Sequence, residues 1–215
     1  MGARAPRLIL GSPARAARIF LLSPADSSGK RARFLEESEA DLAQRLRARG
    51  GAPIGEVFSF VSSLYFRGKL AYARAFARPP RGLDGIHVIT PCDGLVPPER
   101  PIRVGDLRRF AGVPIDVDET RYRRPFLRDL EALAATSAKA EVVLLGSIAS
   151  PKYVDLLTSV LGSRLLFPVA FVGRGDMSRG GLMLRCVAQA EELEYARVEG
   201  AVRRGSRPAR LPPLG

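Results

Sequence analysis

Histidine is nearly absent from this chain, cysteine is scarce, and acid is missing from both ends. The single histidine, His87, removes any multi-histidine metal site and argues against a histidine-centred triad. The two cysteines, Cys92 and Cys186, lie far apart and follow no metal-ligand spacing. Neither a disulfide framework nor a metal is expected, no cofactor motif stands out, and a reducing cytoplasm is the expected compartment. No apolar run approaches the roughly 20 residues that span a bilayer, so no membrane partner is expected. The N-terminal stretch lacks the apolar core of a secretory signal, although its Arg-rich, acid-poor character also mimics a transit peptide.

Cationic charge is what the chain has in excess. Over 215 residues the net charge is +12. Arg4, Arg7, Arg15 and Arg18 stand in residues 1–18 and Arg203, Arg204, Arg207 and Arg210 in residues 201–215, with no acid in either stretch. Such arms suit non-specific phosphate contacts; the simpler alternative is solvated ends of an Arg-rich sequence. The organisation expected is a flexible basic leader over 1–15, a single α/β domain over 16–199 and a disordered basic tail over 200–215.

Hydrophobic periodicity supplies the elements. Ala17–Leu22, Ile86–Thr90, Glu141–Leu145, Leu165–Val172 and Glu194–Val198 read as strands. Lys30–Arg49, Pro53–Phe76, Arg121–Ala138, Pro151 to about Leu161 and Gly180–Glu192 read as helices, with Gly68 a possible break in the second. Residues 94–120 read as a long irregular loop. The alternation predicts an α/β class: a layered single domain with a largely parallel central sheet flanked by helices.

Small polar groups follow the strand candidates. Ser23-Pro24-Ala25-Asp26, Thr90-Pro91-Cys92-Asp93-Gly94 and Gly146-Ser147-Ile148-Ala149-Ser150 each end an apolar run, and Arg174-Gly175-Asp176-Met177-Ser178-Arg179 shares their character. Open α/β sheets bind ligands at the carboxyl ends of their strands, so Ser23, Gly94, Ser147 and Arg174 are expected to line one anion-friendly cleft. Arg174 and Arg179 suit bidentate capture of an anion, with Ser178 beside them. Asp176 suits orienting one of them or acting as a base; the alternative is an Arg–Asp pair bracing a turn. Ser27-Ser28-Gly29-Lys30-Arg31 offers a phosphate cradle at a helix start, but it is no Walker A loop, because Arg31 stands where Ser or Thr is needed. Ser150 and Lys152 extend the anion-binding set. The catalytic candidates are Asp26, Cys92, Asp93 and Asp176: carboxylates for general-base work, and a thiol that becomes nucleophilic if its pKa is depressed. Tyr65-Phe66-Arg67-Gly68-Lys69, with Tyr72 and Arg74, reads either as a base-stacking and phosphate-holding surface or as an amphipathic helix.

Taken in order, these motifs resemble the YaaA family of peroxide-stress proteins. The resemblance rests on Ser23-Pro24-Ala25, Gly94-Leu95-Val96-Pro97, Ala149-Ser150-Pro151-Lys152-Tyr153 and Arg174-Gly175-Asp176-Met177-Ser178-Arg179, across about residues 17–190. Asp26 stands where that family usually has Lys, and Cys92-Asp93 replace an aromatic. Ile89 to Glu99 is also similar to the catalytic domain of archaeosine synthase, which attaches an amino acid to a modified base in transfer RNA. The first resemblance implies nucleic-acid binding, DNA more than RNA, with protection from oxidative damage. The second implies an enzyme modifying a nucleobase or nucleoside. A nucleotide-like anionic ligand fits either, and a non-catalytic interaction module is the third reading.

Overall fold

The computed structural model describes residues 16–149 and 151–209. The expectations for the 1–15 leader, for Ser150 and for Arg210 lie outside the described residues. In chain order, β1 (Arg18–Leu22) leads to α1 (Lys30–Glu37), α2 (Asp41–Arg47), β2 (Ala52–Pro53), α3 (Ile54–Val61) and α4 (Ser63–Phe76). Then come β3 (Ile86–Ile89), β4 (Leu95–Val96), β5 (Pro101–Ile102), α5 (Val104–Ala111), α6 (Thr120–Thr136) and β6 (Glu141–Leu145). The elements α7 (Pro151–Leu161), β7 (Leu165–Pro168), α8 (Asp176–Gln189) and β8 (Tyr195–Arg197) complete it.

The fold is mixed α/β around a six-stranded, mostly parallel sheet in the order β4-β3-β1-β6-β7-β8. The inner four strands are parallel, and β4 and β8 add antiparallel edges. Chain order explains where a site falls. From β1 the chain crosses to β3 on one side, then returns past β1 to β6 on the other. The carboxyl ends of β1 and β6 therefore flank the topological switch point, where crossovers on opposite faces leave a crevice.

Both faces of the sheet are sealed, which is why β1 and β6 read as unbroken apolar runs. Phe20, Leu22, Val143 and Leu145 pack with Phe58, Phe66, Tyr72, Phe110 and Met183 from α3, α4, α5 and α8. Ile19, Leu21, Val142 and Leu144 pack with Tyr122, Phe126, Val154 and Leu157 from α6 and α7. Successive side chains alternate between the two clusters as the strand pleat requires.

Several expected elements are corrected. The helix expected over Lys30–Arg49 is two helices. Arg47 lies across the break and donates to the carbonyls of Glu36 and Ser38 at 3.1 and 2.8 Å, satisfying the end of α1. The helical region from Pro53 breaks at Ser63, which has φ 49°, and not at Gly68. The expected loop over 94–120 contains β4, β5 and α5, too short and polar to show a period. The last helix starts at Asp176, four residues earlier than the apolar pattern suggests. Arg18, counted with the basic arm, is committed to the sheet: its guanidinium reaches Glu141 at 2.6 Å and also bonds Glu192. Residues 201–209 have no helix or strand, yet Arg203 pairs with Asp155 at 3.2 Å.

Candidate functional site

At the switch point lies a polar cleft of about 340 Å³ lined by Ser23, Pro24, Asp26, Ser62, Tyr65, Ser147, Lys152, Tyr153 and Asp176. Ser23 ends β1, and its N–H donates to the carbonyl of Leu145 at the end of β6, 3.2 Å away. Ser147 follows β6. Lys152 and Tyr153 enter from the first turn of α7, Tyr65 from α4 and Asp176 from the first turn of α8. Three of the four polar segments thus contribute, through Ser23, Asp26, Ser147 and Asp176, with Lys152 beside them.

Beneath Ser23 sits a residue assigned to the wrong environment by the sequence reading. Lys69 is fully buried. Its Nζ donates to the Ser23 carbonyl at 2.6 Å and lies 3.0 Å from Ser23 Oγ. The rings of Tyr65 and Phe66 lie 4.3 and 4.8 Å from the ammonium nitrogen, so cation–π attraction offsets part of the lost hydration. Burial still dominates and lowers the Lys69 pKa to about 7, against a favourable field from Asp176 and an opposing one from Arg179. The aromatic and basic run of α4 is therefore no base-stacking surface: Tyr65, Phe66, Lys69 and Tyr72 face the core. The legible signal was position. Lys69 is three or four residues from Tyr65, Phe66, Tyr72 and Ala73, in the middle of the apolar stripe.

Two close approaches hold this arrangement. Where α4 crosses α8, a Cβ on Gly68 would stand 2.6 Å from the carbonyl oxygen of Gly180, and one on Gly180 would stand 2.6 Å from that of Leu64. Backbone therefore touches backbone, which brings Lys69 to Asp176 and Arg179. A Cβ on Gly146 would lie 3.2 Å from Ser23 Oγ and 3.1 Å from Tyr153 Oη, so its hydrogen leaves room for those two groups. The Tyr153 hydroxyl donates to the Ser147 carbonyl at 3.2 Å and borders the same Gly146 space as the Ser23 side chain. The Tyr65 hydroxyl is buried on the cleft wall beside Arg179 with no well-formed hydrogen bond. Burial raises the pKa of both tyrosines, so both are neutral donors near pH 7.

The remaining predicted residues have other positions. Asp26 accepts from Ser28 Oγ at 2.6 Å and from its N–H at 3.0 Å; the hydroxyl bond first, then the backbone one, depresses its pKa. It is a fixed carboxylate that closes a turn, with its charge toward Lys152 and not a proton carrier at neutrality. Ser27 is buried with an unpartnered hydroxyl. Lys30 and Arg31 are exposed and outside the cleft lining, and Arg31 lies over the Phe60 ring at 4.8 Å. Arg179 is a brace: it donates to the Phe171 carbonyl at 3.2 and 3.0 Å and to Asp176 at 3.3 Å, holding that carboxylate at the cleft.

The expectation that Arg174 and Gly94 share the cleft with Ser23 and Ser147 is corrected. Arg174 turns back to the Ala170 carbonyl and Ser178, and Arg174 and Ser178 line a separate cavity of about 280 Å³ with Arg207. Gly94 abuts Asp129 of α6. Cys92 opens into a third and larger cavity, about 900 Å³, between α5 and α6, lined also by Arg109, Arg121, Arg124 and Arg128. Its thiol pKa is raised by burial, against the pull of Arg109, so the thiolate needed for nucleophilic work is disfavoured. Asp93 is held by Arg100 at 2.9 Å and by both terminal nitrogens of Arg109, which leaves it a brace and not a free base.

The larger cavity is the roomier one, but three of its four arginines, Arg109, Arg121 and Arg128, are already paired with carboxylates beside it. The smaller cleft has the perturbed amine directly behind its lining residue Ser23, and chemistry needs that more than volume. No family model matches the sequence, no curated protein matches it, and no solved structure matches the fold.

Proposed function

We propose that the protein is an enzyme that modifies a nucleobase or nucleoside bound in the switch-point cleft. The observation that carries this reading is the buried amine of Lys69 held against Ser23 at the carboxyl end of β1. A volume of about 340 Å³ suits a ligand of that size. The donors and acceptors on Tyr65, Ser147 and Asp176 suit a heterocycle edge, and Lys152 suits a phosphate or ribose oxygen. Residues 16–199 act on this reading as one layered α/β unit, working in the cytoplasm and without a metal or cofactor. Calorimetric titration with purine and pyrimidine bases, nucleosides and nucleotides tests it. The expected result is single-site binding that Asp176→Asn weakens about tenfold, the loss of one charge-assisted hydrogen bond of about 1.5 kcal/mol. Absence of binding by every base, nucleoside and nucleotide would sink it.

A second reading, DNA binding, is supported by the arginine-rimmed groove between α5 and α6. Among the described residues Arg124 has no ion-pair partner, and the groove lining contains no acid. If the groove tracks phosphates, Arg124→Ala lowers the slope of log affinity against log salt by about 0.9 on duplex DNA. No binding to duplex DNA at low salt removes this reading.

A further inference from the structure

We propose that Ser23 is a nucleophile, activated by Lys69, that accepts an acyl group from an amide, ester or thioester substrate in the cleft. The proposal rests on the cleft being an active site, and not on the ligand being a nucleoside. Three geometric facts carry it. Ser23 lines the cleft, while its Oγ reaches the buried side beneath it. On the core side the nearest base is Lys69 Nζ, 3.0 Å from Oγ and anchored to the Ser23 carbonyl at 2.6 Å, which fixes the direction of its remaining valences. On a third side Ser23 Oγ and the Tyr153 hydroxyl share the space that Gly146 leaves open, 3.2 and 3.1 Å from where a Cβ on that glycine would stand. A serine with a lysine base is a known solution for acyl transfer on unrelated folds.

The groups facing Lys69 decide its protonation. Ser23 from β1, Tyr65 and Phe66 from α4, and Asp176 and Arg179 from α8 surround it. Asp176 favours the ammonium, Arg179 opposes it, and burial decides in favour of a neutral amine above about pH 7. The neutral amine no longer donates to Oγ; its lone pair accepts from it.

The step then balances. Ser23 Oγ bonds to the acyl carbon while its proton passes to Lys69 Nζ and the carbonyl π pair moves to oxygen. Lys152 and Ser147, which line the same cleft, are its cation and donor for that oxyanion. Collapse breaks the bond to the leaving group, which departs with the proton from Lys69. Water then attacks the acyl-Ser23 ester, returning a proton to Lys69 and then to Oγ, and releases the carboxylic acid.

Diisopropyl fluorophosphate, followed by intact mass and peptide mapping of the full chain, tests this without a known substrate. The expected result is one adduct, on Ser23, forming faster as pH rises with a midpoint near 7 and absent from Ser23→Ala. Lys69→Met slows it about 100-fold, the lower end for loss of a general base, while thermal melting checks that this variant is folded. Ser23→Cys with iodoacetamide reports whether a reagent reaches position 23. Alkylation of that variant without any adduct on wild-type Ser23 overturns the proposal, as does failure of both reagents. Equal labelling of wild type and folded Lys69→Met overturns the role of Lys69. Tyr153→Phe provides a variant with the lysine intact, in which labelling keeps its pH midpoint. Nucleoside titration on the same preparation reports separately on the nucleobase reading.

Discussion

Two strand ends on one edge of the sheet carry similar residues and have opposite characters. At the end of β3, Asp93 is gripped by Arg100 and Arg109, Arg109 also bonds Asp106 at 2.7 Å, and Arg128 bonds Asp129 at 2.7 Å. Almost every charge there has a partner. At the end of β1, the buried amine of Lys69 has no carboxylate in contact among the described residues; it rests on a carbonyl, a hydroxyl and two rings. Saturated ion pairs make a stiff surface with little free energy left for a reacting group. An undercompensated amine is a costly burial, and such costs concentrate where chemistry is done.

The largest expected difference between the two ends is in their response to pH. In the folded protein Lys69 holds its proton only below about 7, whereas the unfolded chain holds it to about 10.5. Between these values unfolding takes up a proton, so this group makes stability rise with pH, and the gain levels off above the upper value. The slope reaches about 1.4 kcal/mol per pH unit at most. Denaturant melts across pH 6–11 on wild type and Lys69→Met isolate it as a difference curve. A flat difference would mean the amine is not undercompensated, and the contrast with β3 would fail.

Gly180→Ala tests what places the amine. The added methyl meets the backbone of Leu64 and Tyr65, so the two helices must separate. Overpacking of this kind costs about 1–3 kcal/mol. For a chain of this length that lowers the melting temperature by roughly 5 °C. Because the separation moves α4 away from α8, the Lys69 difference curve should shift as well; an unshifted curve would show that the helices yield elsewhere.

Asp93→Asn gives the smallest expected effect. It removes one carboxylate from between two half-exposed arginines, and stability falls by about 1 kcal/mol or less. Loss of the carboxylate leaves Arg109 in the groove with Asp106 alone and makes the groove more positive, so low-salt DNA affinity should rise while the switch-point cleft keeps its pH response. Filter binding at two salt concentrations, paired with the denaturant melts, checks both halves.

Legibility in the sequence followed the same division. β1 and β6 were plain because apolar side chains fill both faces, and Glu141–Leu145 and Pro151–Leu161 agree with the expected bounds. Ser23, Asp26, Ser147 and Lys152 converge because the carboxyl ends of parallel strands and the helix starts that follow them share one edge. Position 69 was misplaced because a lysine among aromatics reads with the phosphate-holding or outer charges of the helix, and only the helical phase shows otherwise. Arg174 and Arg179 were harder still. One turns to Ala170 and Ser178 and the other to Phe171 and Asp176, and one-dimensional spacing does not say which. The ion pairs of Asp93 with Arg100 and Arg109 depend on β5 and α5, short elements inside a stretch without periodicity.

The contact between Gly68 and Gly180 is also a rule about ancestry. Two positions far apart in the chain share one space, and a side chain at either displaces the backbone at the other. A protein that descends from the same ancestor and keeps the buried lysine is expected to keep both positions small together. One that fills them should have lost the lysine too. This paired constraint, joined to a lysine one residue after the first glycine, is the pattern by which such a descendant should be recognised even if its polar motifs differ.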